Sequence, residues 1–385
     1  MMDFSNYIEK NFSNELKLIL LLSQEELNPT DFDKKSKQID WDIFYKLVIK
    51  HRLISHILKH SEYLSNIIPA EFIQKLKQEK IEQSKKALNY TNYLIQIHDL
   101  FVENNILHCF FKGPLLSFEL YGDVGYRNFG DIDVLVNKVD VERAKGIIEG
   151  LRFVCIYPRI KFSERQKNVN YSISHHYHFT NKVIDIELHW SITNPKSFFG
   201  IESSEIITNS TTINISNRDI PYISETMNFV FLAAHGSIHQ WYRLFWIKDF
   251  SVLLSKSGSE KIMNAWEFSK KLKLEKCFWQ ACQLAHIIYK SEIPDTIELK
   301  KNDSYILIPL KSIGINDLKQ QGIIGRIKFV FYLLKLKVSW KYYFDLVYRL
   351  RTHLTDWEKL KLPDSLFFMY YILRPFLLFF KSKSR

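Results

Sequence analysis

Gly130-Asp131-Ile132-Asp133-Val134-Leu135-Val136 is the stretch that decides the fold of this chain. Its β-branched and aliphatic residues predict a short, buried strand centred on residues 132–136. Alternate side chains of a strand share a face, so Asp131 and Asp133 point one way while Ile132 and Val134 point into a core. Two carboxylates on one face repel each other unless a cation sits between them. Their hard oxygens suit Mg²⁺, with Mn²⁺ as a substitute. An Asp-x-Asp triplet alone is common, so its surroundings decide its meaning.

Upstream, Ile106-Leu107-His108-Cys109-Phe110-Phe111 has strand character and ends at Lys112-Gly113-Pro114. Pro114 suits the first turn of a helix that runs on through Leu120-Tyr121. A glycine there lets backbone amides approach a phosphate, the helix start attracts its charge, and Lys112 adds a formal positive charge. Downstream, Val183 to Trp190 alternates strictly. Asp185, Glu187 and His189 fall on one face, and Ile184, Ile186 and Leu188 on the other. A third carboxylate from such a strand, added to Asp131 and Asp133, completes what two-metal phosphoryl or nucleotidyl transfer needs.

The wider chain fits an α+β protein: a small mixed β-sheet core flanked by N- and C-terminal helical regions. Hydrophobic residues make up 46% of the 385 residues and charged ones 25%, which excludes disordered, collagenous and low-complexity classes. Only 12 glycines and 10 prolines favour long helices over a loop-rich β fold. Residues 1–105 read as a helical region, 106–220 as the α+β core and 221–385 as a C-terminal helical domain. Within the core, Tyr171 to Trp190 reads as a hairpin turning near Thr180-Asn181-Lys182. The 53 Lys and Arg against 42 Asp and Glu leave a formal charge of +11, which implies an anionic partner. Four scattered cysteines are no disulfide framework and suit a reducing cytoplasm. No basic leader opens the chain, and no stretch reaches 18 apolar residues; Leu366 to Phe380 is interrupted by Arg374-Pro375. A soluble, cytoplasmic protein is expected, in contact with a membrane at most peripherally.

Lys112-Gly113 with Leu120-Tyr121, then Arg127, Gly130-Asp131-Ile132-Asp133, and then Glu187-Leu188-His189-Trp190 resembles the DNA polymerase β-type nucleotidyltransferase superfamily. Within it, the pattern is most similar to the bacterial uncharacterised nucleotidyltransferase family, whose members often sit in biosynthetic clusters for polysaccharides or modified peptides. Trp41 with His51-Arg52, the run from His235-Gly236 through His239, Trp241, Arg243 and Trp246 to Asp249, and Trp357 with Leu373-Arg374-Pro375 extend the likeness over nearly the whole chain. The superfamily usually has Gly-Ser or Gly-Gly where this chain has Gly113-Pro114, and Ser117, one turn on, or Lys112 is placed to compensate. The family's acid before Leu-His-Trp makes Glu187 the third metal ligand, with Asp185 as helper.

The resemblance implies an Mg²⁺-dependent transferase that uses an NTP as co-substrate and a small-molecule, sugar or peptide hydroxyl as acceptor. Asp131, Asp133 and Glu187 are the catalytic candidates, and with Asp185 the metal-binding ones. Lys112, Gly113, Ser117, Arg127, His235 and Arg243 are the nucleotide-binding candidates. Arg127 suits a phosphate or the acidic edge equally, and Asp249 reads as the partner of Arg243 or of a histidine. His175-His176-Tyr177-His178 reads as a solvated edge strand, and His189-Trp190 as packing or as support behind the metal ligands. Two other classes remain in view: a catalytically inert, antitoxin-like binding protein, and a transferase acting on tRNA or other nucleic acid.

Overall fold

In the computed structural model, which describes residues 3–27, 39–60, 68–298, 303–314 and 323–377, the anticipated core strand runs over Ile132–Val136 and is buried along its whole length. Among the described residues seven strands form one mixed sheet. They are β1 (His108–Phe111), β2 (Ile132–Val136), β3 (Val154–Tyr157), β4 (His176–Thr180), β5 (Asp185–His189), β6 (Thr211–Ile215) and β7 (Arg218–Tyr222). Their spatial order is β3-β4-β5-β2-β1-β7-β6. β2 pairs antiparallel with β1 and parallel with β5, so the Asp-x-Asp strand and the acidic strand are immediate neighbours. The protein is α+β, as its sequence indicates, with helices on both sides of the sheet in the chain order.

Two local expectations need correction. The hairpin starts at His176 rather than Tyr171, because Glu164–Ile173 is a helix. Ser163 and Gln166 form a reciprocal capping box at its start, and that local hydrogen bonding outweighs the β-propensity of the residues that follow. Nor is β4 an edge strand: β3 pairs along its outer side and makes it interior. β3, β6 and β7 are short strands that sequence periodicity did not single out.

The chain divides into two compact units, each drawn from three segments. One comprises Met1–Asn92, Pro114–Phe129 and Glu225–Leu336; the other comprises Tyr93–Gly113, Gly130–Ser224 and Lys337–Arg385. The second unit contains the entire sheet. Its C-terminal helices, Leu354–Lys359 and Met369–Leu377, bury Trp357, Phe367 and Tyr370 against Ile173, so much of the aromatic C-terminus is core. Trp340 and Phe344 of the same region are exposed, and the last part of the apolar run, residues 378–380, lies outside the described residues. No described helix is long and apolar enough to cross a membrane.

The first unit is helical. Glu225–Ile238 packs against Leu244–Lys256, Ser259–Lys271 and Glu275–Tyr289. Trp241 is fully buried there and donates its indole N–H to Gln280 Oε1 over 2.9 Å. Its ring lies flat against Gly236: a Cβ at that position would stand 2.5 Å from the ring carbons. The glycine is therefore a packing requirement of the helix. Gly236→Ala gains about 1 kcal/mol of helix propensity but must displace the indole and its hydrogen bond, at about 1–3 kcal/mol for overpacking and about 1 kcal/mol more for the bond. Urea unfolding is expected to show a net loss of about 2 kcal/mol; unchanged or higher stability would contradict this packing.

Candidate active site

The site is assembled on one face of β1, β2, β5 and β4 in the second unit. Asp133 lies opposite Phe111 on β1 and opposite Glu187 on β5; His178 and His176 of β4 lie opposite Glu187 and His189. Period-two alternation thus puts Asp133, Glu187, His189, His176 and His178 on a single surface, with Ile132, Val134, Ile186 and Leu188 buried on the other.

Asp133 is only 1% exposed. A carboxylate so placed is costly unless cations and hydrogen bonds meet it. Lys112 supplies one cation, with Nζ 2.8 Å from Asp133 Oδ1. It gets there through two successive left-handed residues, Lys112 at φ +58° and Gly113 at φ +52°. A Cβ at Gly113 would be strained at that φ and would contact the Asp131 carbonyl oxygen at 3.4 Å, which explains the glycine. The second partner is His189. Its Nε2 lies 3.2 Å from Asp133 Oδ1 and 3.1 Å from Glu187 Oε2, and its ring meets Phe111 edge to face at 4.9 Å. His176 Nε2 is 3.7 Å from the other Glu187 oxygen, and His176 Nδ1 is 3.1 Å from His175 Nε2.

These neighbours set the charges. Burial works against the Lys112 ammonium, but Asp133, Asp131 and Glu187 outweigh it and raise its pKa. His189 follows the same logic: burial opposes its charged form, and hydrogen bonds to Asp133 and Glu187 more than compensate. Burial would raise the Glu187 carboxyl; the His189 hydrogen bond and charge, with His176 and Lys112, hold it far below the usual range. His176 is pushed down to about 4 by burial and then by His189, and His175 is lowered for the same two kinds of reason.

Among the described residues, two groups of side chains present donor atoms close enough to share one metal ion: Asp133, Glu187 and His189, and His175, His176 and His189. Asp131 immediately precedes β2, is half-buried and belongs to neither group. Asp185 lies one pleat from Glu187, with Oδ1 3.4 Å from His178 Nε2. The histidines are what sequence reasoning missed. The signal was present, since alternation puts His189 on the Glu187 face, but its default assignment was packing or support behind the metal ligands, not a donor among the acids.

Ser117, Arg127, His235 and Arg243 belong to the first unit. Ser117 is fully buried; its hydroxyl donates to the Asp123 carbonyl over 2.7 Å and accepts the Arg127 N–H over 3.0 Å. Asp249 pairs with Arg127, Nε to Oδ2 at 2.6 Å, and accepts the Tyr121 hydroxyl on its other oxygen, rather than pairing with Arg243 or a histidine. The His235 ring packs beside His239 and Trp246, with centroids 4.6 and 5.3 Å away. Arg243 stands over Tyr242 and immediately precedes the helix Leu244–Lys256. Buried His51 anchors the start of that helix, its Nδ1 accepting the Leu244 N–H over 3.2 Å.

Residues 37–290 match a family model described as uncharacterised nucleotidyltransferase. No curated protein matches the chain.

Burial, followed by the charges of Lys50 and Arg243, pushes His51 down to about 3 from its ordinary 6.5. Unfolded His51 takes a proton as pH falls through 6.5, while the folded residue stays neutral until about 3. Stability is therefore full above about pH 6.5 and declines below it, by up to about 1.4 kcal/mol per pH unit from this group. His51→Asn retains an acceptor and cannot protonate. Urea unfolding between pH 7.5 and 5 is expected to show a shallower pH slope for this variant than for the parent; equal slopes would contradict the assignment.

Proposed function

The chain belongs to the uncharacterised nucleotidyltransferase family, and from that premise we propose that it moves a nucleotidyl group from an NTP to a hydroxyl of a small molecule, sugar or peptide. One observation carries the catalytic assignment: Asp133 and Glu187 face each other on parallel strands, and Asp133 Oδ2 is buried without a hydrogen-bond partner. A buried carboxylate oxygen left in that state is costly, and a hard divalent cation satisfies it. The residues present therefore fit Mg²⁺, with Asp133 and Glu187 as principal ligands and Asp131 and Asp185 flanking them. When bound, the ion neutralises triphosphate charge and acidifies the attacking hydroxyl.

The remaining work falls to the chain. Lys112 is a cation held by acids in a part-buried place, and an arriving triphosphate gives its ammonium a second anionic partner. Gly113 keeps the backbone open beside it, where any side chain would be strained. Phe111 and the covered faces of β2 and β5 limit water around the acids, which strengthens every charge interaction there. The acceptor oxygen bonds to the α-phosphorus as the bond to the bridging oxygen breaks; the hydroxyl proton leaves to water, and pyrophosphate departs. Cytoplasmic action on a metabolite or peptide of a biosynthetic cluster is part of the same proposal.

Full-length protein incubated with α- or γ-labelled ATP, GTP, CTP or UTP, Mg²⁺ and a panel of hydroxyl acceptors tests it. The α label is expected to appear in product. Asp133→Asn and Glu187→Gln are each expected to lower the rate on the order of 10³-fold, the several kcal/mol that metal-borne charge stabilisation supplies. Transfer of the γ label instead would make the protein a phosphotransferase, and full activity in both variants would remove the metal assignment.

A further inference from the structure

We propose that His189 is itself a metal ligand, so that Asp133, Glu187 and His189 form a mixed oxygen and nitrogen seat that takes a first-row transition ion such as Mn²⁺, Co²⁺ or Zn²⁺ as well as Mg²⁺. This deepens the proposed function and rests on the same cation site. A seat built of carboxylates alone suits Mg²⁺; imidazole shifts a site toward transition ions.

Three observations support nitrogen ligation. A single nitrogen, His189 Nε2, faces both acids, 3.2 Å from Asp133 Oδ1 and 3.1 Å from Glu187 Oε2. Ligands about 2.1 Å from one ion stand about 3.0–3.4 Å from each other in octahedral or tetrahedral sites, so the three atoms, held now at hydrogen-bond distances, already have the spacing a shared ion needs. Second, Lys112 and His189 both address Oδ1 of Asp133, and the buried Oδ2 has no hydrogen-bond partner. Third, the donors are fixed by strand register rather than by loops: Asp133 on β2, Glu187 and His189 on β5, with His176 of β4 opposite His189. His189 is 2% exposed and its ring is oriented by the edge-to-face contact with Phe111, so ligation needs no ordering of a mobile side chain. The neighbouring His175 and His176 keep the surroundings rich in nitrogen.

Carboxylates alone also bind Mn²⁺ and Co²⁺ more tightly than Mg²⁺, so metal preference by itself does not decide. Nitrogen ligation does. Full-length protein loaded with substoichiometric Mn²⁺, without nucleotide, is expected to give electron spin-echo modulation from a directly bound ¹⁴N. His189→Gln is expected to abolish that modulation and to weaken Co²⁺ binding, read by its visible absorption, at least about tenfold. If the variant does not fold, as judged by near-ultraviolet circular dichroism, the His175→Gln/His176→Gln double variant decides: retained modulation supports His189, and its loss overturns the proposal. Bound Mn²⁺ without ¹⁴N modulation, modulation that survives in folded His189→Gln, or no Mn²⁺ binding at millimolar concentration would each overturn the proposal. Label transfer with Mg²⁺ but no ¹⁴N modulation would sink only this inference; ¹⁴N modulation without any label transfer would sink only the proposed reaction.

Discussion

A carboxylate buried in the middle of a sheet is the constraint around which the second unit is organised. Asp133 lies on an interior strand and is almost entirely removed from water. Desolvating such a group costs several kcal/mol unless opposite charge is delivered to it. Delivery explains otherwise unrelated features. The chain takes two left-handed residues at Lys112 and Gly113, and the Lys112 ammonium reaches Asp133. The parallel pairing of β2 with β5 brings His189 beside it, and Glu187 shares that imidazole. In turn, Asp133, Asp131 and Glu187 favour the Lys112 ammonium, and hydrogen bonds to Asp133 and Glu187 raise the His189 pKa. The outcome is an acid-rich cluster in which the buried Asp133 Oδ2 has no hydrogen-bond partner, the feature on which the proposed cation site rests.

Much of this was legible in the sequence, and for a definite reason. Alternation assigns every strand residue to a face, so Asp131 and Asp133 could be placed on one face of their strand, and Asp185, Glu187 and His189 on one face of theirs, from spacing alone. The Lys112-Gly113 break and the helix after it were equally clear, since glycine followed by proline marks a turn into a first helical residue. What alternation does not give is which strand lies beside which. β4 looked like an edge because nothing in Val154–Tyr157 announces a strand beyond it; once β3 is in place, His176 faces the acids from an interior position. The same gap affected the helical unit. In the sequence Asp249 read as the partner of Arg243 or of a histidine, yet its partner is Arg127 from a distant segment, joined by the Tyr121 hydroxyl. Likewise the three-segment composition of each unit is a fact of long-range packing, invisible to local periodicity.

The net charge of +11 also acquires a more specific meaning. The site itself is acidic, and one of its cations, Lys112, is already committed to an acid in the absence of substrate. Arg127 is likewise spent within the first unit, on Asp249. Positive charge in this protein is thus in part a structural necessity of buried carboxylates, and only the remainder is available to draw anionic substrates toward it.

The central claim is that Asp133 and Glu187 hold the ion that serves the triphosphate, with Lys112 taking a phosphate as its second anionic partner. Crystals grown with Mn²⁺ and a non-hydrolysable NTP test it most directly, through the anomalous scattering of manganese. The account predicts a peak bonded to the carboxylates of Asp133 and Glu187 and the Lys112 ammonium within hydrogen-bonding distance of a phosphate oxygen. Manganese and triphosphate bound elsewhere, with the Lys112–Asp133 pair and its vacant oxygen unchanged, would contradict it.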